Sequence, residues 1–339
     1  MALAVDTIFG TPEYHFLSFD GDDALFVRMD RLSYHRSIFL DGRISSPEPQ
    51  PIRTPLAPLI VEARGREIPR TGWIFHVAHC GSTLLARMID QPQSGLVLRE
   101  PPPLRQLGIQ SAGGRQSRDW ADRLRLAVAM ASRRFEPSQR TVVKANVPVN
   151  FILPQILELD PGAPVILLYF ALEPYLLAIL RDADKRAWVD RLTRQLGPAL
   201  AAATGLRPEA PTAERAAALW LAQMLVFNTI LNSIPSARSL DAEVFFASPA
   251  EVAEAAALHF NMSATEGGDE LDRLTSTYSK DPSRPFDEAA RRRRQEDDRG
   301  RLEQDLAKAR RWIDSSPTSN GLPASLDRPL FGAASPLLG

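Results

Sequence analysis

Cysteine is nearly absent, with Cys80 alone in a chain of 339 residues. A single thiol excludes an intrachain disulfide framework and a cysteine-cluster metal site. Histidine is sparse too, at five residues. His15, His35 and His259 are scattered without metal-ligand spacing, so no metal is expected. There is also no charge excess. The formal net charge is −1, which removes any general attraction to nucleic acid or to an anionic membrane. The run Arg291 to Arg294 is locally basic, but Glu296, Asp297, Asp298, Glu303 and Asp305 share its segment. That mixture reads as a solvated, ion-paired helix face, and no nucleic-acid partner is expected. No uninterrupted apolar run approaches the ~20 residues of a membrane span. The opening Met-Ala-Leu-Ala-Val-Asp lacks the basic and apolar regions of a signal peptide. A cytoplasmic location without a membrane partner is the corresponding expectation.

What is present is an ordinary globular composition, 44% hydrophobic and 24% charged. The length accommodates one large α/β domain with attachments, or two domains. Residues 1–68 read as a small β-rich unit. Phe16 to Phe19 and Ala24 to Val27 flank an Asp-Gly-Asp-Asp turn as a hairpin, and the proline-rich Ser45 to Pro58 reads as a linker or strap. From Thr71 onward, apolar strands alternate with helical patterns. Strands are expected at Trp73 to Ala78, Leu96 to Leu98, Thr141 to Val143 and Val165 to Phe170. Helices are expected after Gly81, over Arg118 to Arg134 and over Ile152 to Leu159. Strands apolar throughout argue for a parallel sheet covered on both faces. The second half reads as mostly helical: Ala213 to Asn232 with Thr212 as N-cap, a strand from Ser239 to Phe246, a helix opened by Ser248-Pro249, and a charged helix from Phe286 to Asp314. Residues 317–339 read as an irregular tail.

The most informative stretch runs from Gly72 to Asp90. The strand-like segment enters a tight His79-Cys80-Gly81-Ser82 turn. A helical pattern of Leu84, Leu85, Met88 and Ile89 follows. Gly81 permits close backbone approach to a ligand, and Ser82 and Thr83 place hydroxyls and unpaired N–H groups at the helix start, as an anion loop requires. An accidental strand–turn–helix has the same outline. The nucleotide-kinase loop pattern GxxxxGK[ST], aligned on Gly81, needs Gly at His76 and Lys at Ser82; neither is there, which argues against ATP or GTP hydrolysis. His76 reads as a sheet-face histidine. A protonated or hydrogen-bonding His79 can take part in anion binding. Cys80 reads as a small loop residue whose backbone matters, with a reactive thiol as the lesser alternative.

His79-Cys80-Gly81-Ser82-Thr83-Leu84 resembles the 5′-phosphosulfate loop of the sulfotransferases, (K/R)-x-G-(S/T)-(T/S)-(L/W), with His79 at the usual Lys or Arg position. The resemblance extends over roughly Thr71 to Leu258, and its motif spacing is nearest to the tyrosylprotein sulfotransferases. It implies an α/β fold, a three-layer P-loop NTPase-like parallel sheet of sulfotransferase type. The β-rich unit would lie in front (1–68), the main domain over 69–316, and the tail behind (317–339). It implies 3′-phosphoadenosine 5′-phosphosulfate (PAPS) as co-substrate, leaving 3′-phosphoadenosine 5′-phosphate (PAP), and a hydroxyl-bearing small molecule or peptide as acceptor. By the same resemblance Glu100, 19 residues after Gly81, is the general base. Lys144, after its strand, steadies the leaving phosphate oxygen, and His79 joins these two among the catalytic residues in place of the usual Lys or Arg. His79, Cys80, Gly81, Ser82, Thr83 and Leu84 bind the phosphosulfate. The segment Ser239 to Glu254 is similar to the family's late strand–loop–helix.

The pattern fails at one place. Where the family carries an Arg and then a Ser for the 3′-phosphate, this chain has Phe170 or Leu172, then Ala178 or Leu180. Arg181, Lys185, Arg186 and Ser279-Lys280 are the candidate replacements, of which Arg181 and Lys280 are the leading ones. A non-catalytic anion-binding protein of the same fold and a group-transfer enzyme with another phosphate-containing donor stay open as alternatives.

Overall fold

The structure, a computed structural model, describes residues 3–263, 269–278, 281–285 and 288–338. Lys280 and Ser279 lie outside the described residues.

The chain opens with an antiparallel sheet of three strands, β1 (Tyr14–Asp20), β2 (Asp23–Arg28) and β3 (Glu48–Pro55), in that spatial order. The hairpin falls where the sequence reading put it. The proline-rich segment is a correction, because it is the edge strand β3, with Ile52 opposite Phe26 and Thr54 opposite Ala24. Proline removes a ladder donor, so it is tolerated only where the N–H would face away from the sheet, and an exposed edge is such a place. The helix Leu56–Gly65 follows directly, its first turn overlapping the end of the segment expected as a linker or strap.

Five parallel strands form the centre: β4 (Gly72–His76), β5 (Gly95–Arg99), β6 (Arg140–Lys144), β7 (Val165–Tyr169) and β8 (Ala237–Asp241). Every residue of β4, β5 and β7 is buried, the signature of a sheet covered on both faces. The spatial order is β5-β6-β4-β7-β8. β6 therefore lies between β4, which delivers the anion loop, and β5, which delivers Glu100. The α/β expectation is met. One continuous apolar core joins Ile8, Phe16 and Phe26 of the N-terminal unit to Trp73, Phe75 and Trp220. Arg133 ties the two regions together, donating to the carbonyls of Ile8 at 2.6 Å, Thr11 at 2.9 Å and Tyr14 at 2.8 Å.

Several boundaries differ from expectation. Pro211, not Thr212, sits at the N-cap of the helix Thr212–Ser233, and the Thr212 hydroxyl instead donates to Asp190 at 3.0 Å. This helix is long and apolar enough to cross a membrane by length and composition, yet 67% of its apolar window is buried in the protein. It is a core helix whose apolar run is interrupted by Gln223, Asn228 and Thr229, so it does not stand out as an uninterrupted apolar stretch. The strand expected to reach Phe246 stops at Asp241, whose carboxylate accepts from the Glu243 N–H at 2.9 Å and starts the helix Ala242–Ala247. The long charged helix is two, Glu288–Arg301 and Glu303–Ser315, divided at the buried Leu302. The tail is irregular beyond a short helical turn, but it packs: Pro329 bridges to Ser239 of β8, and Leu326 and Leu337 are buried.

Candidate active site at the C-terminal edge of the sheet

The loop leaves β4 at His76 and enters the helix Ser82–Met88. Two of its residues are left-handed, His79 at φ 63° and Gly81 at φ 85°. Such turns point successive N–H groups into one concavity that suits an anion. Glycine is needed at position 81 on two counts. The backbone is one that L side chains rarely adopt, and an added Cβ would lie 2.8 Å from the Phe246 ring and 3.0 Å from Phe245. Those rings stand on the helix Ala242–Ala247, so the end of β8 buttresses the loop from behind. The Cys80 thiol is buried and donates to the Val77 carbonyl at 2.7 Å, which turns it toward the sheet and away from a ligand. Ser82, Thr83 and Leu84 are all buried.

Lys144 ends β6, opposite Ile74 of β4 and Arg99 of β5. Its side chain is 1% exposed. Nζ donates to the Thr83 hydroxyl at 3.3 Å and is ion-paired with Glu100 Oε1. One lysine thus joins the loop helix to the carboxylate, which follows from the strand order. Glu100 itself is left-handed, at φ 61°, and its N–H donates to the Lys144 carbonyl at 2.7 Å. A glutamate in that conformation is costly, and the ladder-like hydrogen bond holds it there. The unusual backbone turns its side chain back over the strand ends, where the His76 imidazole approaches to 4.0 Å. His76 also contacts the Val77 carbonyl through Nδ1 at 2.9 Å, so this sheet-face histidine borders the site.

Residues that the sequence reading did not single out complete the surroundings. The Leu40 N–H binds the Arg99 carbonyl at 3.0 Å and fixes a loop of the N-terminal unit across the end of β5. That loop sets the Phe39 ring 5.4 Å from Lys144 Nζ and 4.2 Å from the Arg43 guanidinium. Arg43 has its pKa raised, first by its hydrogen bond to Asp41 and further by Glu100. Desolvation lowers that of Arg105, with Glu100 acting in opposition. No local motif marks Phe39, Arg43 or Arg105, because only tertiary packing brings them to Glu100.

His79 turns its ring edge-on to Trp188 at 6.0 Å, which brings the helix Ala183–Gln195 beside the loop. Lys185 lies three residues before Trp188, on the same face, and its Nζ is 3.2 Å from Asp182. Arg181 follows the far end of the helix Leu172–Leu180, with Nε 3.9 Å from Asp182. Arg186 is engaged with Asp305 at 2.6 Å and the Leu180 carbonyl at 2.7 Å. Lys185 and Arg186 both lie on the helix that meets the loop; Lys185 shares the face of Trp188, whereas Arg186 is held by Asp305 and Leu180. Phe170, Leu172 and Leu180 are core residues, and Phe170 also accepts the Trp220 indole N–H through its carbonyl at 2.9 Å.

No family model and no curated protein matches this chain. Among solved structures, it is similar to the sulfotransferase domain from the curacin biosynthetic pathway at 14% identity, covering 63% of this chain and 80% of that one, with a TM-score of 0.38. It is likewise similar to a sulfotransferase from Alicyclobacillus acidocaldarius at 12% identity, covering 73% of this chain and 96% of that one, with a TM-score of 0.39. At that degree of likeness, the function rests on the site's own residues.

Proposed function

We propose that this protein transfers a sulfuryl group from PAPS to a hydroxyl-bearing small molecule or peptide. The observation that carries this reading is the buried Lys144 ammonium, in contact with both the Thr83 hydroxyl and Glu100. A buried cation at the mouth of a left-handed glycine loop suits the phosphate of such a donor. PAPS, when bound, supplies a sulfuryl group on a phosphate leaving group. The amides from Cys80 to Thr83 bind and orient that group. Lys144 neutralises the charge that develops on the leaving oxygen, an electrostatic task that needs positioning more than covalent chemistry. Glu100 accepts the proton of the acceptor hydroxyl as the new S–O bond forms and the S–O bond to phosphate breaks. Lys144 holds Glu100 in place before the donor arrives and releases it when the phosphate competes for the ammonium. The site is proposed to act in the cytoplasm.

A second reading is favoured by one observation. Phe170, Leu172 and Leu180 are packed into the core, so the positions that would hold a 3′-phosphate have none of the required chemistry. A donor lacking that phosphate, or a binding protein with no turnover, fits this feature. Incubation with PAPS and a panel of phenols and alcohols separates the readings. PAP and a sulfate ester should form with the parent protein and not with Lys144→Met or Glu100→Gln. No PAP above the level of the variants with any acceptor would leave the second reading.

A further inference from the structure

A cavity of about 580 Å³ opens at the opposite, N-terminal edge of the parallel sheet. Gly72 begins β4 and Arg140 begins β6, and both line it. The strands are five residues long, so roughly 16 Å of sheet separates it from the loop. The volume falls within the ~300–1,000 Å³ usual for small-molecule sites. Leu159, Pro164 and Phe260 supply apolar wall, and Arg70, Arg125 and Arg140 supply charge.

The arginines are arranged as a binding surface would need. Arg125 is fixed by two carbonyls, Ala63 at 2.7 Å from Nε and Arg66 at 2.6 Å from Nη2, so its guanidinium is pre-positioned. Arg70 is 3.6 Å from Asp160, a carboxylate that also accepts the Thr71 N–H at 3.3 Å. Among the described residues, no carboxylate is within ion-pairing distance of Arg140. Behind it stands Arg134, which donates to the Arg70 carbonyl at 2.8 Å and has a buried Nε with no hydrogen-bond partner among the described residues. The Arg134 pKa is lowered by desolvation first and then by the like charge of Arg140. The cavity wall itself carries three arginines, Arg70, Arg125 and Arg140, against two carboxylates, Glu67 and Asp160. Only with Arg134 counted behind the wall does the positive excess come near that of one phosphate monoester dianion.

We propose that this cavity is a second ligand site, which takes a phosphate monoester carried on a small apolar body. Guanidinium groups match phosphate oxygens in geometry as well as charge, and the apolar wall gives the organic part a surface to cover. The proposal is independent of the sulfuryl-transfer reading, because it shares no residue with the loop, Lys144 or Glu100.

Calorimetric titration of the full chain with phenyl phosphate, inorganic phosphate and benzyl alcohol tests it. Phenyl phosphate should bind saturably and at least tenfold more tightly than either other probe. Arg140→Met and Arg70→Met should each weaken it tenfold or more, and Lys144→Met should leave it unchanged. Arg70 has a side chain 66% exposed, so its variant keeps the test open should Arg140→Met fail to fold. Absence of saturable binding, equal affinity for inorganic phosphate, insensitivity to Arg70→Met, or loss of binding in Lys144→Met would each overturn the proposal.

Discussion

Lys144 Nζ and the Thr83 hydroxyl lie 3.3 Å apart although 61 residues separate them in the chain. The contact exists because β6 is inserted between β4 and β5, so the last side chain of the middle strand meets the helix that follows its neighbour. Lys144→Met keeps most of the side-chain length and removes the ammonium. It should weaken PAP binding by about tenfold to a hundredfold, the range of one charge-assisted hydrogen bond of ~1.5–3 kcal/mol. Fluorescence or calorimetric titration checks this, and unchanged affinity would separate Lys144 from the donor.

Gly81→Ala should be destabilising in its own right. The new Cβ must adopt φ 85° and lies 2.8 Å from Phe246. A left-handed alanine costs roughly 1–2 kcal/mol before any clash is counted. Denaturant unfolding should show at least that loss, together with loss of ligand binding. Full stability in the variant would mean that the loop can relax away from Phe245 and Phe246.

Glu100 offers an inverted version of the same test. Removing its carboxylate leaves the buried Lys144 without its ion-pair partner; because Glu100 is 25% exposed, the loss should stay below the ~3–5 kcal/mol of breaking a fully buried pair. Both Glu100→Ala and Glu100→Gly should therefore be less stable than the parent. Between the two, glycine should win by about 1 kcal/mol, because it alone accepts φ 61° without strain. Elsewhere glycine normally loses to alanine. A more stable alanine variant would contradict the left-handed geometry of the carboxylate.

Sequence reading found the strand and the loop from a local pattern, an apolar run with a turn at its end, and singled out Glu100 and Lys144 through the sulfotransferase resemblance. The structure brings those two side chains together beside the loop. It missed Phe39, Arg43 and Arg105, whose position depends on how the N-terminal unit folds over β5. Strand order was not legible either, since β4, β5 and β6 are similar apolar segments and nothing local says which lies in the middle. The proline-rich β3 was misread because proline is informative about edge strands only once a partner such as β2 is known. The stop at Asp241 was not read because the apolar Val244-Phe245-Phe246 that follows continues the strand-like pattern.

Acid should loosen the N-terminal unit. His15 is fully buried, its pKa pushed down to about 3 by desolvation first and by the Arg133 charge second. In the unfolded chain an imidazole titrates near ~6.5. Between those values only the unfolded chain binds the proton, so stability falls as pH falls, by up to about 1.4 kcal/mol per unit. The pKa of His259 is lowered in the same direction, chiefly by burial. Urea unfolding at pH 7 and pH 5 should show the loss, and His15→Phe should reduce it. An equal loss in both proteins would remove His15 from the account.

Titration of PAP and of adenosine 5′-phosphate into the parent protein, repeated with Lys144→Met and Lys185→Met, bears most directly on the proposed activity. The site predicts saturable PAP binding that Lys144→Met weakens tenfold or more. A preference for PAP over adenosine 5′-phosphate should be present and should shrink in Lys185→Met, because Lys185 shares the Trp188 face of the helix that meets the loop, whereas Arg186 on the same helix is engaged with Asp305. Equal affinity for the two nucleotides in the parent, or binding that survives Lys144→Met unchanged, would contradict a PAPS-dependent sulfuryl transfer at this loop.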